Sequence, residues 1–286
     1  MKWRGREESK NVEDRRGMRP ATVGAVGGLG TLIIVILGLL FGLQPEDVKK
    51  IVDAQQKAGA PAAGGGPVKS TPEEDARKSF VSVVLRDTEK VWGEQFRQMG
   101  KTYREPKMVI YRDVVQSACG LAQAAVGPFY CPADETVYID LAFFDELERR
   151  LHAPGDFAQA YVIAHEVGHH VQKLLGIMDQ SDSLSSRIAR RDNEQMVMLE
   201  LQADFFAGLW AHHAEKNYRI LEAGDIEEAL NAASMIGDDR LQLEATGRVR
   251  PDAFTHGSSD QRMRWFRLGL QTGDIEQGDT FNADKL

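Results

Sequence analysis

The chain has 286 residues, of which 42% are hydrophobic and 27% charged, a composition typical of a globular protein that buries a sizeable core. Its net charge is -8, and residues 1–20 hold seven Lys or Arg against four acids, so the remainder carries -11. This acidic remainder argues against a nucleic-acid partner. Two cysteines are too few for a disulfide-rich scaffold or a Cys-rich zinc module.

An uncharged apolar stretch, ATVGAVGGLGTLIIVILGLLFGL, covers residues 21–43. As a helix it would rise about 34 Å, enough to cross a hydrocarbon core of about 30 Å. A cleaved signal peptide is the alternative, but its apolar region would be shorter and followed by a small-residue cleavage site. A buried core helix is disfavoured because the stretch is apolar on every face and lies next to a polar tail and a polar linker. The stretch therefore predicts one transmembrane helix.

The charges around this stretch predict its orientation. Arg15, Arg16 and Arg19 lie just before it, whereas acids and lysines balance one another over residues 46–50. The positive-inside rule then makes residues 1–20 a cytoplasmic tail and puts everything after residue 43 outside the cytoplasm. Residues 44–71 are rich in Ala, Gly, Pro and Gln, which predicts a flexible linker. The folded domain is expected over residues 72–286.

The pattern within this domain predicts an α+β fold. Ser70 or Thr71, followed by Pro72, favours a helix start, and a recurring apolar face follows. Short stretches at residues 107–113 and 136–140 are rich in β-branched and aromatic residues and predict a small sheet. Beyond them the pattern is mainly helical, with helices predicted at residues 156–176, 192–216, 225–236 and 259–271.

The segment His165-Glu166-Val167-Gly168-His169 is the most informative motif. Two imidazoles four residues apart lie one turn above the other on a helix, so both can bind a single Zn²⁺. Glu166 lies at the edge of the same face, where it can take a proton from water and return it to a leaving amine. Two structural histidines are the alternative, but the strongly amphipathic helix around the motif favours metal binding.

A catalytic zinc has three protein ligands and one open position, so a third ligand is required. No Gly-x-x-His follows His169, which excludes the metzincin pattern. Glu200 on a later predicted helix is the favoured candidate, and Glu194 at the start of that helix is the alternative. Asp204, one turn after Glu200, is expected to accept a hydrogen bond from a ligating histidine.

Three further features bear on the site. An exterior location would let Cys119 and Cys131 form a disulfide, with two free thiols or a thiol acting on the zinc as alternatives. His256 or Arg262 is expected to donate a hydrogen bond to the developing oxyanion, unless these residues only cap and pair at a helix start. The strand at Val137–Asp140 is expected at a sheet edge, where extended substrate could pair with it.

A family resemblance rests on several segments read together. Cys-Gly and Gly-Pro-Phe-Tyr-Cys-Pro lie within residues 119–132, Tyr-Ile-Asp at 138–140, His-Glu-x-Gly-His-His at 165–170 and Glu-Leu-Gln-Ala-Asp at 200–204. With the apolar stretch and linker, they resemble the bacterial putative neutral zinc metallopeptidase family over nearly the whole chain. The zinc pattern is also similar to that of gluzincins such as the CAAX-processing and HtpX-type membrane peptidases. Those enzymes have several spans, so the resemblance does not imply intramembrane substrates.

The resemblance implies a zincin-like domain that binds one Zn²⁺ per chain through His165, His169 and Glu200, with Asp204 supporting a ligand. The resemblance does not specify a substrate, and we expect a zinc-dependent endopeptidase that acts on a peptide or protein, in which Glu166 is the general base and acid. Such an enzyme would be tethered to the bacterial inner membrane on its periplasmic side. A tethered scaffold protein with a purely structural zinc is the alternative, and the sequence predicts no oligomeric state.

Overall fold

The computed structural model describes residues 1–17, 70–123, 127–178 and 189–286. The predicted transmembrane helix and nearly all of the predicted linker lie outside these residues and stay predictions. Among the described helices, none combines the length and apolar character needed to cross a bilayer.

The domain's first long helix, α1, runs over Pro72–Gln98. Its start is fixed by a capping box, in which the Thr71 hydroxyl accepts from the Glu74 amide and the Glu74 carboxylate accepts from the Thr71 amide. One face of α1 is buried, and the Trp92 ring lies edge-on against Phe206 with centroids 5.3 Å apart. The helix therefore forms one wall of the main core.

A four-stranded sheet covers another part of this core. Its spatial order is β1-β2-β6-β5, with parallel pairing from β1 to β2 and from β2 to β6, and antiparallel pairing between β6 and β5. A separate two-stranded hairpin consists of β3 and β4. The strands are β1 Val12–Asp14, β2 Lys107–Tyr111, β3 Val114–Ser117, β4 Gly120–Gln123, β5 Phe129–Cys131 and β6 Thr136–Asp140.

Two expectations differ from this topology. Residues 1–17, expected as part of a separate tail, instead contribute β1 to the sheet. The strand expected at the sheet edge, now β6, is an inner strand because β2 and β5 hydrogen bond to its two sides. The edge next to β6 belongs to β5, so the expected pairing of substrate with Val137–Asp140 was wrong.

The C-terminal part is helical, which together with the small sheets confirms the predicted α+β class. Each helix predicted there is present, with bounds that differ by a few residues. The short helices α2 and α6 were not predicted. The helices are α2 Phe143–Arg149, α3 Asp156–Leu175, α4 Ala189–Tyr218, α5 Asp225–Met235, α6 Asp238–Thr246 and α7 Ser259–Thr272, with 3-10 turns at Pro251–Ala253 and Ile275–Gly278.

Candidate metal centre

Helix α3 carries both histidines of the predicted motif through the middle of the core. Gly155 precedes the helix with a φ of 115°, Asp156 places a carboxylate at its positive end, and Gly176 ends it with a φ of 76°. The helix is buried along most of its length and packs against α1, α4 and α5. This packing fixes the direction in which His165 and His169 point.

Gly168, between the two histidines, allows α4 to approach α3 closely. A β-carbon at this position would lie 3.0 Å from the carbonyl oxygen of Ala203 and 3.1 Å from its Cα atom. No larger residue fits there without moving one helix, since these separations are shorter than ordinary van der Waals contacts. The close approach brings Glu200 and Asp204 of α4 against the histidines of α3.

The three predicted ligands converge on one point. His165 Nε2 lies 3.1 Å from one carboxylate oxygen of Glu200, and His169 Nε2 lies 3.4 Å from the other. The three ligand atoms all lie within 4.8 Å of one another. Tetrahedral zinc, with bonds of about 2.0–2.2 Å, separates its ligand atoms by roughly 3.4 Å, so these two nitrogens and one oxygen fit a zinc ion.

The other ring nitrogen of each histidine has its own partner. His165 Nδ1 lies 2.8 Å from an Asp204 carboxylate oxygen, and His169 Nδ1 lies 2.9 Å from Gln172 Oε1. Gln172 donates its amide hydrogens to the Leu199 carbonyl and to Gln202, which directs its oxygen toward His169. Each Nδ1 therefore donates a hydrogen bond, and each Nε2 keeps a lone pair for a metal.

Asp204 is fully buried and accepts four hydrogen bonds. Besides His165, the Tyr161 hydroxyl donates to it at 2.5 Å, and Arg262 donates from Nε at 2.9 Å and from Nη2 at 3.0 Å. Burial favours the neutral acid, but the charges of Arg262 and His165 outweigh it and lower the pKa of Asp204. Arg262 is thus committed to this carboxylate, so His256 is the better placed of the two predicted oxyanion donors.

The acids around the two histidine rings raise the pKa of each ring. Burial disfavours a charged imidazole, but the carboxylates of Asp204 and Glu200 raise the pKa of His165 to about 10. The same balance, dominated by Glu200, raises the pKa of His169. This strongly negative environment attracts a cation, whether a proton or a metal ion.

Glu166 lies beside the ligands and does not belong to the ligand cluster. It is buried, and the backbone amide of Tyr130 in strand β5 favours its charged form. Burial raises the pKa of Glu166, although His165 and His169 oppose the shift. A carboxylate whose pKa is raised toward neutrality suits a group that must both accept and return a proton.

His256 reaches the same cavity from the loop before α7. Asp238 holds this loop, because one of its carboxylate oxygens accepts from the amides of Thr255 and His256, both at 2.6 Å, and from Gly257 at 3.1 Å. The other oxygen lies 3.2 Å from His256 Nδ1. Burial opposes a charged ring, but Glu200 and Asp238 raise the pKa of His256. The arrangement leaves His256 Nε2 available as a donor.

A cavity of about 300 Å³ joins these groups. One part of its wall is polar and includes the three ligands, Glu166, His256 and Arg262. The rest is mostly apolar and comes from the β5 region, from α2 and α3, and from the start of α6. The apolar and aromatic lining residues are Pro128, Phe129, Tyr130, Phe143, Leu151, Tyr161, Val162, Ile236 and Leu241.

The alternative ligand, Glu194, does not lie in the ligand cluster. It is exposed and lines a separate cavity of about 660 Å³ with Asn193 and Pro251. The sequence did not single out Gln172 or Asp238. Gln172 follows His169 by three residues on the same helical face, a spacing that could have identified it. Asp238 had no such signal, because an acid at the start of a helix usually just interacts with the helix dipole.

The two cysteines form a disulfide with a Cα–Cα distance of 5.8 Å. It joins the β3–β4 turn to Cys131 of strand β5, next to Tyr130, which lines the same cavity as Glu166. The Tyr130 hydroxyl also bonds to His170 Nδ1, while His170 Nε2 donates to the Arg104 carbonyl. His170 is therefore a buried structural residue.

Two histidines and a glutamate from neighbouring core helices, with a second glutamate beside them, define a zincin-type metal centre on an α+β domain. Comparison with known families identifies the group more closely. The model of the family described as putative neutral zinc metallopeptidase matches residues 1–281, and the chain belongs to this family. Zinc is the metal that the family description implies, and the ligand cluster fits it.

Two curated relatives align with most of the chain. The chain is 49% identical to "Uncharacterized protein YpfJ" of Escherichia coli strain K12 over 289 aligned residues, which cover 98% of this chain and 99% of the relative. It is 43% identical to "Uncharacterized protein Rv2575" of Mycobacterium tuberculosis strain H37Rv over 194 residues, covering 64% and 65% of the two chains. No solved structure matches the chain.

Proposed function

We propose that the protein is a zinc-dependent endopeptidase. The observation that carries the proposal is the position of Glu166 beside a three-ligand cluster, with both on the wall of a single cavity. A structural zinc site normally uses four protein ligands, whereas the cluster found among the described residues supplies three. This difference favours a catalytic role over the scaffold alternative.

Each residue has a specific role in the proposed hydrolysis. His165, His169 and Glu200 would hold the zinc ion, which when bound polarises the scissile carbonyl and lowers the pKa of water. Glu166 accepts a proton from the attacking water as the water oxygen bonds to the carbonyl carbon. The carbon–nitrogen bond then breaks, and Glu166 returns the proton to the leaving amine.

His256 has a second role in the same step. Its Nε2 donates a hydrogen bond to the oxygen on which negative charge develops, and Asp238 keeps the ring in that orientation. The Tyr130 backbone amide favours the charged form of the Glu166 carboxylate. Together these contacts preorganise an acid–base group and an oxyanion donor around the cluster.

The apolar part of the cavity wall suggests the substrate class. Phe129, Phe143 and Leu241 are partly exposed there, where a substrate side chain can bury them further. A cavity of about 300 Å³ accommodates one large side chain. We therefore expect cleavage next to a bulky apolar or aromatic residue within a peptide.

The test uses the purified full-length chain with a library of denatured proteins, and the cleavage sites are mapped by mass spectrometry. Glu166→Gln should lower kcat/KM by about 10²–10⁴-fold because it removes the proton acceptor. Its zinc content should match that of the wild type. Glu194→Gln, which changes an exposed acid on α4, is the matched control and should keep full activity.

Different outcomes separate the hypotheses. Undiminished cleavage by pure Glu166→Gln protein would refute the proposed mechanism. Stoichiometric zinc with no cleavage by the wild type would favour the scaffold alternative. Cleavage without preference for apolar residues would leave the peptidase in place but remove the assigned substrate class.

A further inference from the structure

Residues 1–17, called here the N-terminal strap, complete the sheet of the metal-binding domain. Strand β1 of the strap pairs with β2 in parallel register, with Glu13 opposite Val109. The Met108 amide donates to the Asn11 carbonyl at 2.9 Å, and the Arg15 amide donates to the Ile110 carbonyl at 2.7 Å. Without the strap, β2 would be an open sheet edge.

The strap also covers apolar surface of the domain. The Trp3 ring packs edge-on against Phe80 of α1, with ring centroids 5.5 Å apart. Val12 packs on the main core, and the Ser9 amide donates to the Ser82 carbonyl at 2.9 Å. These contacts run along α1, so the strap follows both the helix and the sheet edge.

Two buried acids of α1 accept hydrogen bonds from the strap. Asp87 is 1% exposed and accepts from Arg6 at 2.6 Å. Glu89 is 3% exposed and accepts from the Ser9 hydroxyl at 2.5 Å and from the side-chain amide of Asn11 at 2.8 Å. Burial raises the pKa of Asp87 to about 6 even with Arg6 beside it. Without the strap, Asp87 would lose its hydrogen bond from Arg6, and Glu89 would keep only its 3.0 Å bond from Arg86 of the same helix. Buried acids that lose their partners destabilise a fold, so the sequence of α1 is adapted to a docked strap.

The strap extends to the start of the metal-binding helix. The α-amino group of Met1 lies among the carboxylates of Asp156 on α3 and Asp225 on α5, 3.2 Å from an Asp225 oxygen. The Lys2 amide donates to the Ile220 carbonyl at 2.7 Å. The strap therefore contacts elements on both sides of the main core.

Two of the basic residues that predicted a cytoplasmic tail, Arg15 and Arg16, are themselves part of this fold. Arg16 is 5% exposed and makes a two-bond pair with Asp14, at 2.9 and 2.7 Å. Arg15 pairs with Glu13 in the same way, with both bonds at 2.8 Å. Because both arginines form ion pairs within the strap, they have a structural role. They are therefore weaker evidence for membrane orientation than an unpaired basic cluster would be.

We infer that the strap and residues 72–286 lie on the same side of the membrane. One crossing between residues 17 and 70 would separate two parts that share a sheet and a core. The docked strap therefore requires an even number of crossings, none or two, between these residues. This inference replaces the topology predicted from residues 21–43 and does not depend on catalytic activity.

Cysteine labelling of the full-length chain tests the topology. Lys10→Cys in the strap and Glu244→Cys on α6 change exposed residues, and the two native cysteines are bonded to each other. Escherichia coli cells that express each variant are converted to spheroplasts and treated with a membrane-impermeant maleimide. Lysed cells serve as the accessibility control. Both positions should be labelled, or neither, and labelling of only one would overturn the inference.

Disulfide trapping tests the docking itself. Mild oxidation of the purified Glu13→Cys/Val109→Cys chain should give a cross-link between these positions in most molecules, identified by mass spectrometry. The Glu13→Cys/Glu244→Cys chain is the control and should give at least 10-fold less. Equal, low cross-linking in both chains would mean that the strap does not occupy the β2 edge, which would refute the inference.

Discussion

At the residue scale, the site depends on groups that never touch a metal. Asp204 and Gln172 each fix one histidine through Nδ1, and Arg262 neutralises Asp204 where no solvent can do so. Asp238 has a similar relation to His256, because it holds both the imidazole and the backbone that carries it. Removing such a partner changes the orientation of a reacting group and leaves its identity intact.

Asp238→Asn should therefore lower kcat by about 10–100-fold with little change in KM or zinc content. An amide oxygen can still accept the three backbone hydrogen bonds, but the amide nitrogen that replaces the second oxygen cannot accept from His256 Nδ1 or carry the charge that pairs with the ring. If Asp238 acts through His256, the Asp238→Asn/His256→Ala chain should be no slower than His256→Ala alone. Kinetics on one defined peptide measure this, with Asp260→Asn at an exposed position as control. Fully additive losses would show that Asp238 acts elsewhere.

At the element scale, close glycine contacts set the spacing of the core helices. Gly168 brings α4 onto α3, while Gly208 and Gly269 bring α4 and α7 together. A β-carbon on Gly208 would lie 2.1 Å from the Phe266 carbonyl oxygen, and one on Gly269 would lie 2.1 Å from that of Phe205. The α4–α7 contact matters for the site because it carries Arg262 to Asp204.

Gly208→Ala should destabilise the protein by about 1–3 kcal/mol or more, since the added methyl forces the α4 and α7 backbones apart. Gly93→Ala is the matched control, because Gly93 lies within α1 and has no atom within 4 Å of an added β-carbon. That change should stabilise the protein by roughly 0.5–1 kcal/mol through helix propensity. Denaturant unfolding of both variants gives the two free energies. Equal effects would mean that α4 and α7 can separate without loss.

The sequence predicted the elements whose signals are local. The apolar period of α3 and the spacing of its histidines were sufficient to place the motif on a buried helix, and Ser70 or Thr71 before Pro72 marked the start of α1. Strand pairing could not be predicted in this way. Strand β1 consists only of Val-Glu-Asp and pairs with β2, which lies about 95 residues later in the chain. Nothing nearby in the sequence therefore distinguishes this strand from a polar tail. The same non-local pairing made β6 an inner strand.

At the scale of the whole molecule, the candidate metal centre joins separate parts of the fold. Its ligands come from α3 and α4, and the residues around them come from α7, from β5 and from the loop that follows α6. Strand β5 is in turn fixed to the β3–β4 hairpin by the disulfide. A metal bound at this junction stabilises the folded chain as a whole, because the unfolded chain does not present the three ligands together.

Removal of zinc should therefore lower Tm. At free zinc 1,000-fold above its Kd, the gain in folding free energy is about 4 kcal/mol. For a chain of this size, that gain corresponds to roughly 10 °C in Tm. Thermal unfolding of the full-length chain, first with a chelator and then with zinc restored, measures the difference. Glu200→Gln should reduce the zinc-dependent rise in Tm to a small fraction because a ligand carboxylate is lost. Glu194→Gln on the same helix should retain the full rise. A wild-type Tm indifferent to zinc, or a full shift in Glu200→Gln, would contradict the assigned ligand set.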